Sequence, residues 1–317
     1  MTENEFILND RIQKIKSTIE KYGEENFYVS FSGGKDSTVL SNLIDMALPQ
    51  NTIPRVYSNT GIEYNKIVEF VKKYGGGQHS WEIVILKPER NIKDTLEYYG
   101  YPFKSKSHAK WVDLYQRKGH TQSIENYTGG VKKDKDLYRP CPKKLLYQFS
   151  EDFKLRVSDK CCFYMKEKPI DRYSKESNRP YGINGIMRDE GGRREFAKCM
   201  AFHGGKLKAF QPLSIVTKEW VDWFIDEYNI EICDLYKPPY NFERTGCKGC
   251  PFALHLQDEL NTLQKFFPNE RKQCELIWKP VYEEYRRIGY RLKDTNGQEY
   301  KQMTIEDFMA ESKTNDE

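Results

Sequence analysis

The sequence predicts an α/β fold, a mostly parallel β-sheet covered by helices. Three observations lead there. Short runs rich in β-branched and aromatic residues, beginning at Phe27, Arg55 and Trp81, alternate with stretches whose apolar residues recur at helical spacing. That β-α-β-α-β order is the pattern of parallel strands, which need a helix-length return between them. Gly33-Gly34 stands between the first strand and the helix after it, where a sharp turn needs backbone freedom.

Taken in order, Asp10 to Tyr22 sets Ile12, Ile15, Ile19 and Tyr22 on one helical face, and Gly23 supplies the stop. The strand from Phe27 and the glycine turn follow, then a helix whose apolar side is Val39, Leu40, Leu43, Ile44 and Leu48. Pro49 and Pro54 bracket a loop before the strand Arg55-Val56-Tyr57-Ser58. A helix with Ile67, Phe70 and Val71 at core spacing runs to Tyr74, and Trp81 to Leu86 forms the third strand. From Gly100 to Lys160 the rhythm breaks, with few sustained apolar periods. It resumes with a strand at Tyr181 to Met187 and a helix from Thr217 to Tyr228 that buries Trp220, Val221, Phe224 and Ile225. The chain thus divides into an N-terminal α/β half (1–100), a basic insertion (101–160), a second half (161–253) and a C-terminal helical region with an acidic tail (254–317).

With 317 residues there is ample chain to bury a core, in one large domain or two. The net charge of +4 is too small to select a partner class. No apolar run approaches the ~20 residues of a membrane span, and Met1 to Asp10 lacks the basic-then-apolar pattern of a signal peptide. The expectation is a cytoplasmic protein, its eight cysteines reduced, metal-bound or buried rather than paired as disulfides. Between Lys104 and Lys144, eleven Lys or Arg stand against four acids, with Trp111, Tyr115, Tyr127 and Tyr138 interleaved. That composition suits nucleic acid, through phosphate neutralisation and base stacking; a solvated surface excursion is the competing reading.

Ser32-Gly33-Gly34-Lys35-Asp36-Ser37-Thr38 spans the turn and the helix start. First-turn amides of a helix lack partners and sit at the positive end of its dipole, so an anion is the expected guest. Lys35, Ser37 and Thr38 add a charge and hydroxyl donors. The loop is not a Walker A motif, which needs glycine where Val29 stands and Ser or Thr where Asp36 stands. Asn59-Thr60-Gly61-Ile62-Glu63 lies at the end of the second strand, on the rim where ligands collect in such sheets. Arg188-Asp189-Glu190-Gly191-Gly192-Arg193-Arg194 follows the strand at Tyr181, and arginine's planar fork suits phosphate or sulfate oxygens.

Cys161 and Cys162 are adjacent, and Cys247-Lys248-Gly249-Cys250 is a Cys-x-x-Cys knuckle. A two-residue gap lets both thiolates face one metal centre, and Lys160, Lys166, Arg244 and Lys248 offset their charge. Spacing alone leaves an iron–sulfur cluster, a zinc ion, a redox pair and buried structural thiols all open.

Together these motifs resemble the phosphoadenosine phosphosulfate (PAPS) reductase family, in its iron–sulfur-containing branch, within the adenine nucleotide α-hydrolase-like superfamily. Ser32 to Ser37 resembles the superfamily's pyrophosphate loop, and Asn59-Thr60-Gly61-Ile62-Glu63 its Asp-Thr-Gly turn with Asn in place of Asp. Gly185 to Glu190 with Arg194 is similar to the arginine-bearing loop. Lys160 to Pro169, followed by the Cys247/Cys250 pair, is similar to the cluster signature. The likeness runs from about Phe27 to Ala253, interrupted by the basic insertion. It implies a Rossmann-like (HUP-type) sheet with helices on both faces and a cysteine-bearing C-terminal helical segment. It implies a [4Fe-4S] cluster on Cys161, Cys162, Cys247 and Cys250, with Lys166 beside it. An adenine nucleotide would then lie on Ser32, Gly33, Gly34, Lys35, Asp36, Ser37, Thr38, Asn59, Thr60, Gly61, Glu63, Arg188 and Arg193, with Lys35, Asp36, Arg188 and Arg194 in catalytic roles.

The family's reductases attack a phosphosulfate nucleotide with a mobile cysteine near the C-terminus, in a Glu-Cys-Gly-Leu-His context. Here only Cys274 follows the knuckle, in Arg271 to Trp278, which reads as an amphipathic helix holding a packed thiol. The intact loop instead resembles that of adenylating ATP pyrophosphatases, which bind ATP with Mg²⁺. The leading expectation is therefore an adenylating step of sulfur transfer, drawing on a sulfur or thiol donor protein, with nucleic acid a candidate acceptor. The alternatives are thiol-dependent reduction of adenylyl sulfate or PAPS with release of sulfite, and a non-catalytic nucleotide-binding module.

Overall fold

The computed structural model describes residues 1–77, 79–129 and 140–293. Its strands are β1 (Phe27–Ser30), β2 (Arg55–Ser58), β3 (Ile83–Leu86), β4 (Tyr181–Ile183), β5 (Met200–His203) and β6 (Lys206–Phe210). Its α-helices are α1 (Glu3–Tyr22), α2 (Lys35–Ala47), α3 (Asn65–Gly75), α4 (Ile92–Tyr99), α5 (Lys106–Lys118), α6 (Gln122–Gly129), α7 (Lys160–Cys162), α8 (Lys168–Glu176), α9 (Lys218–Glu227), α10 (Leu256–Phe266), α11 (Pro268–Ile277) and α12 (Lys279–Arg287). Helix α1 begins earlier than its apolar spacing indicates because Thr2 and Glu5 form a capping box: Thr2 Oγ1 accepts the Glu5 N–H at 3.2 Å and Glu5 Oε2 accepts the Thr2 N–H at 2.6 Å.

The sheet order is β3-β2-β1-β4-β6-β5, parallel throughout except for β5, which pairs antiparallel with β6 at the edge. That edge hairpin escapes the periodic reading, although its turn, Gly204-Gly205 with both φ positive, is a hairpin signal. Strand alternation settles the two faces. Val29, Ile183 and Phe210 join α1, α2 and α9 in one core, with Trp220, Val221 and Phe224 buried there as their spacing predicts. On the opposite face Tyr28 packs edge-on against Tyr173 of α8, ring centres 6.1 Å apart. Strand β4 stops at Ile183, short of the expected Met187; the Asn184 N–H still bonds Phe210 O at 3.0 Å, and the chain then turns toward α2.

Between Gly100 and Lys160 the described residues are packed rather than irregular. His108 is fully buried; its Nε2 donates to Gln148 Oε1 at 2.7 Å and its Nδ1 accepts from the Tyr127 hydroxyl at 2.9 Å, a tautomer assigned from these partners. Tyr115 and Tyr127 are buried, and Trp111 stacks on Tyr127 with centres 5.6 Å apart. These rings belong to a core, which corrects the expectation that they interleave the cations for base stacking. Lys132, Lys133, Lys135, Tyr138 and Arg139 lie outside the described residues, as does the acidic tail from 294 onward. Among the described residues no helix is long and apolar enough to cross a membrane.

Candidate nucleotide and thiol site

Strand order reverses at β1, whose neighbours are β2 and β4, so the crevice beyond its C-terminal end is the sheet's switch point. Gly33 sits there at φ +69°, and a Cβ on it would come within 2.6 Å of Val71 Cγ2 on α3, so conformation and space both demand glycine. Two serines close the loop. Ser37 Oγ accepts the Ser32 N–H at 3.2 Å, lies 3.0 Å from Ser32 Oγ and donates to Gly34 O at 2.9 Å; Ser32 Oγ accepts the Gly34 N–H at 3.2 Å. Thr38 Oγ1 donates to Gly34 O at 3.0 Å. Gly34 is the N-cap of α2 and no side chain caps the helix, so its first-turn amides, apart from that of Lys35, are offered to an anion. Lys35 Nζ meets Asp222 of α9 at 2.7 Å.

The loops after β2 and β4 converge on the same rim. Asn59 Oδ1 accepts the Gly61 N–H at 3.0 Å. Buried Glu63 accepts the Thr60 N–H at 2.9 Å and the Thr60 hydroxyl at 2.8 Å, and lies 3.5 Å from Lys166 Nζ. A Cβ on Gly185 would stand 3.1 Å from Asp36 O, so the post-β4 loop lies directly against the start of α2. Burial pushes the Asp36 carboxyl up, and Glu190 adds to this; Lys35, Arg244 and Arg194 pull the other way. Glu190 pairs with Arg194 and, at 2.5 Å, with Arg244. Arg188 donates Nε–H to Ala197 O at 2.6 Å, inside its own loop. The Arg193 side chain lies outside what is described.

Helices α7 and α8 are continuous through a π-helical turn at Phe163–Glu167, with Cys161 and Cys162 just before that turn and Lys166 within it. The knuckle is tied to the Asn59 turn: Glu63 and Cys247 form a backbone bridge, the Lys248 N–H donates to Ile62 O at 2.8 Å, and the Thr60 hydroxyl reaches the Cys247 sulfur. Cys161 hydrogen-bonds Cys162, which lowers the Cys162 pKa, and Lys106 and Lys166 lower it further; the same bond and burial raise Cys161. Burial raises Cys247 and Cys250, and each is within electrostatic reach of Cys162. Lys166 is held protonated, first by Cys247 and then, against its burial, by Glu63. All four cysteines are unbridged. Among the described residues no three His, Cys, Asp or Glu side chains are gathered as a single-ion site.

The C-terminal helices brace the knuckle. Trp278, Tyr282 and Tyr285 recur at helical spacing and hand their donors to three carbonyls of the knuckle segment: Trp278 Nε1 to Lys248 O at 3.0 Å, Tyr282 to Gly249 O, and Tyr285 to Pro251 O at 2.9 Å. Lys248 and Glu270, both buried, pair at 3.1 Å. Cys274 lies on α11 with no exposed surface, and burial lifts its thiol to about 12. It is the packed thiol its helical context predicts.

Asp222, which holds Lys35, is marked by neither motif nor spacing. Glu190, a member of the arginine-bearing loop, gathers Arg194 four residues on and the distant Arg244. Tyr236 is pressed against the loop: its Oη would lie 3.1 Å from a Cβ on Gly34, takes the Lys35 amide and bonds Thr245, two residues before Cys247. Closure of the fold brings Asp222 to Lys35, Arg244 to Glu190 and Tyr236 to the loop.

An uncapped helix at a parallel sheet's switch point, reached by three strand-end loops, defines an α/β protein whose sheet rim suits an anion. The chain belongs to the family of the phosphoadenosine phosphosulfate reductase domain, whose model matches residues 26–135 and 130–253. Among solved structures it is similar to the phosphoadenylyl-sulfate reductase of Candida auris in its phosphate complex, at 12% identity and TM-score 0.40 over 74% of this chain and 93% of that one. It is also similar to the U34-tRNA thiolase NcsA of Methanococcus maripaludis with its [4Fe-4S] cluster, at 16% identity and TM-score 0.39 over 90% and 80% of the two chains. The FMN adenylyltransferase of Candida glabrata aligns at 14% identity and TM-score 0.44 over 76% and 61%. No curated protein matches.

Proposed function

We propose that this protein is an ATP pyrophosphatase that adenylates an acceptor for sulfur transfer, with a [4Fe-4S] cluster on Cys161, Cys162, Cys247 and Cys250. The observation that carries the reading is the Ser32–Ser37 loop, closed by its two serines at the uncapped start of α2. ATP's phosphates lie on the first-turn amides, and Asp36 holds the accompanying Mg²⁺. Lys35, released from Asp222, and the loop amides neutralise charge as pyrophosphate departs. An acceptor oxygen bonds the α-phosphorus, the bond to pyrophosphate breaks, and sulfur from the donor then displaces AMP. Arg188, Arg193 and Arg194 supply guanidinium groups to the phosphates, and Asn59 to Glu63 line the neighbouring edge.

The chemistry of the donor set supports the cluster. It consists of four unbridged thiols within mutual electrostatic reach, their charge offset by Lys106 and Lys166. A cluster places each thiolate on a different iron, so its ligands stand farther apart than those around one ion. Bound there, it would tie the turn after α7 to the knuckle and place a polarisable charge beside the nucleotide. Against the reductase alternative stands Cys274, which is buried under the knuckle rather than free to attack a substrate. Nucleic acid is the acceptor class favoured by the exposed Lys106, Lys110, Arg117 and Lys118. With the nearby rings buried, that binding would rest on phosphate contacts and weaken steeply with salt.

The test is anaerobic incubation with ATP, Mg²⁺ and RNA or DNA acceptors. The expected result is AMP and pyrophosphate in equal amounts, lost in Lys35→Ala. Sulfite released from adenylyl sulfate or PAPS with a thiol, and abolished by Cys274→Ser, would establish the reductase instead. If both assays are silent while ATP raises thermal stability, only a binding module remains. Protein purified without oxygen should be brown; a colourless protein with stoichiometric zinc would refute the cluster.

A further inference from the structure

The chain from Arg244 to Lys248 crosses the rim and touches each of its three loops. Arg244 pairs with Glu190 after β4 at 2.5 Å. The Thr245 and Tyr236 hydroxyls hydrogen-bond each other over the Gly34 turn after β1, and a Cβ on Gly34 would stand 3.1 Å from Tyr236 Oη and 3.8 Å from Thr245 Oγ1. Cys247 forms a backbone bridge with Glu63 after β2, and the Lys248 N–H donates to Ile62 O at 2.8 Å. A strap that begins beside the phosphate loop therefore ends in the thiol knuckle, with only Gly246 between Thr245 and the first thiol.

Either oxygen of the Tyr236–Thr245 pair can be the donor, so the pair runs in one of two directions. Tyr236 Oη also accepts the Lys35 N–H in the first turn of α2, which puts it where phosphates would arrive. A phosphate oxygen only accepts. Beside one, Tyr236 gives its proton to the phosphate and Thr245 gives its own to Tyr236. A chain of hydrogen bonds that ends on an anion is polarised along its length, and each bond in it is strengthened.

We infer that Tyr236 is a phosphate-contacting residue, and that Thr245 is a positioning residue through which nucleotide occupancy steadies the Cys247–Cys250 knuckle. Both roles rest on the proposed nucleotide site and extend it, by a donor outside the glycine loop and a route from the phosphates to the thiols. Neither depends on which group the thiols carry.

Hydrogen–deuterium exchange of the full-length protein, purified without oxygen, reads two peptides, 31–38 over the loop and 245–251 over the knuckle. ATP with Mg²⁺ should slow both in the wild type. Thr245→Val keeps the shape and removes the hydroxyl; it should bind ATP within about threefold of the wild type, slow the loop and leave knuckle exchange unchanged. Thr245→Ser should restore the knuckle response. Tyr236→Phe should lose that response and bind ATP about tenfold more weakly, the loss expected for one hydrogen bond to a charged group. A knuckle that still slows in Thr245→Val and Tyr236→Phe, or a wild-type knuckle indifferent to ATP while the loop slows, overturns both roles and leaves the nucleotide site standing. ATP that neither binds by calorimetry nor slows the loop removes the nucleotide site, and these roles with it.

Discussion

Gly249→Ala tests whether the Cys247–Cys250 knuckle is shaped by the helices beneath it. Two costs are read from the structure. Gly249 adopts φ +61°, where a Cβ is disfavoured by ~1 kcal/mol. That Cβ would also lie 2.5 Å from Tyr282 Oη and 2.8 Å from Cys274 Sγ, neither of which has room to retreat in a closed core. Overpacking of this kind costs ~1–3 kcal/mol, so the total is about 2–4 kcal/mol. Tyr282→Phe alone loses the bond to Gly249 O, costing about 1 kcal/mol. In the double variant the closest clashing atom is gone, so the two penalties should be subadditive by about 1 kcal/mol. Urea unfolding followed by circular dichroism measures the cycle, and a chromogenic thiol reagent should modify Cys247 and Cys250 faster in Gly249→Ala. Additive penalties, or a Gly249→Ala cost below about 0.5 kcal/mol, would show that the helices do not set the knuckle's shape.

Burial lowers the His108 pKa from 6.5 to about 4. Unfolding therefore takes up a proton between those values, and stability should be full above pH 6.5 and fall by about 3 kcal/mol as pH drops to 4. His108→Gln should lose that slope in unfolding experiments across the range. Arg55, fully buried, relies on Asp45 at 2.6 Å, so Asp45→Ala should cost about 3 kcal/mol by chemical denaturation and Asp45→Asn less. Cys274→Ala should lower stability by about 1 kcal/mol yet leave ATP-dependent pyrophosphate release unchanged, as monitored by a coupled phosphate assay; loss of turnover in a variant that still folds would return Cys274 to the chemistry.

The order of strands and helices from Phe27 to Leu86, the glycine loop and the cysteine spacings are legible in the amino-acid sequence because each depends on neighbours a few residues away. Val39, Leu40, Leu43 and Ile44 declare a helix by spacing alone, and Ser32 to Ser37 declares a turn by chemistry. Elements held by distant partners leave no such mark. His108 looks like an isolated histidine until Tyr127 and Gln148 enclose it, and Trp111, Tyr115 and Tyr127 look like a stacking surface until packing buries the two tyrosines and half-buries Trp111 against them. The hairpin of β5 and β6 is short, and its pairing with β4 rests on a contact remote in the chain. At the site, sequence supplies the loop and the four thiols. Asp222 on Lys35 and Tyr236 on the loop depend on the sheet order and on helices closing over the rim. A side chain's reach is set in three dimensions, and local sequence carries no record of which distant surface will meet it.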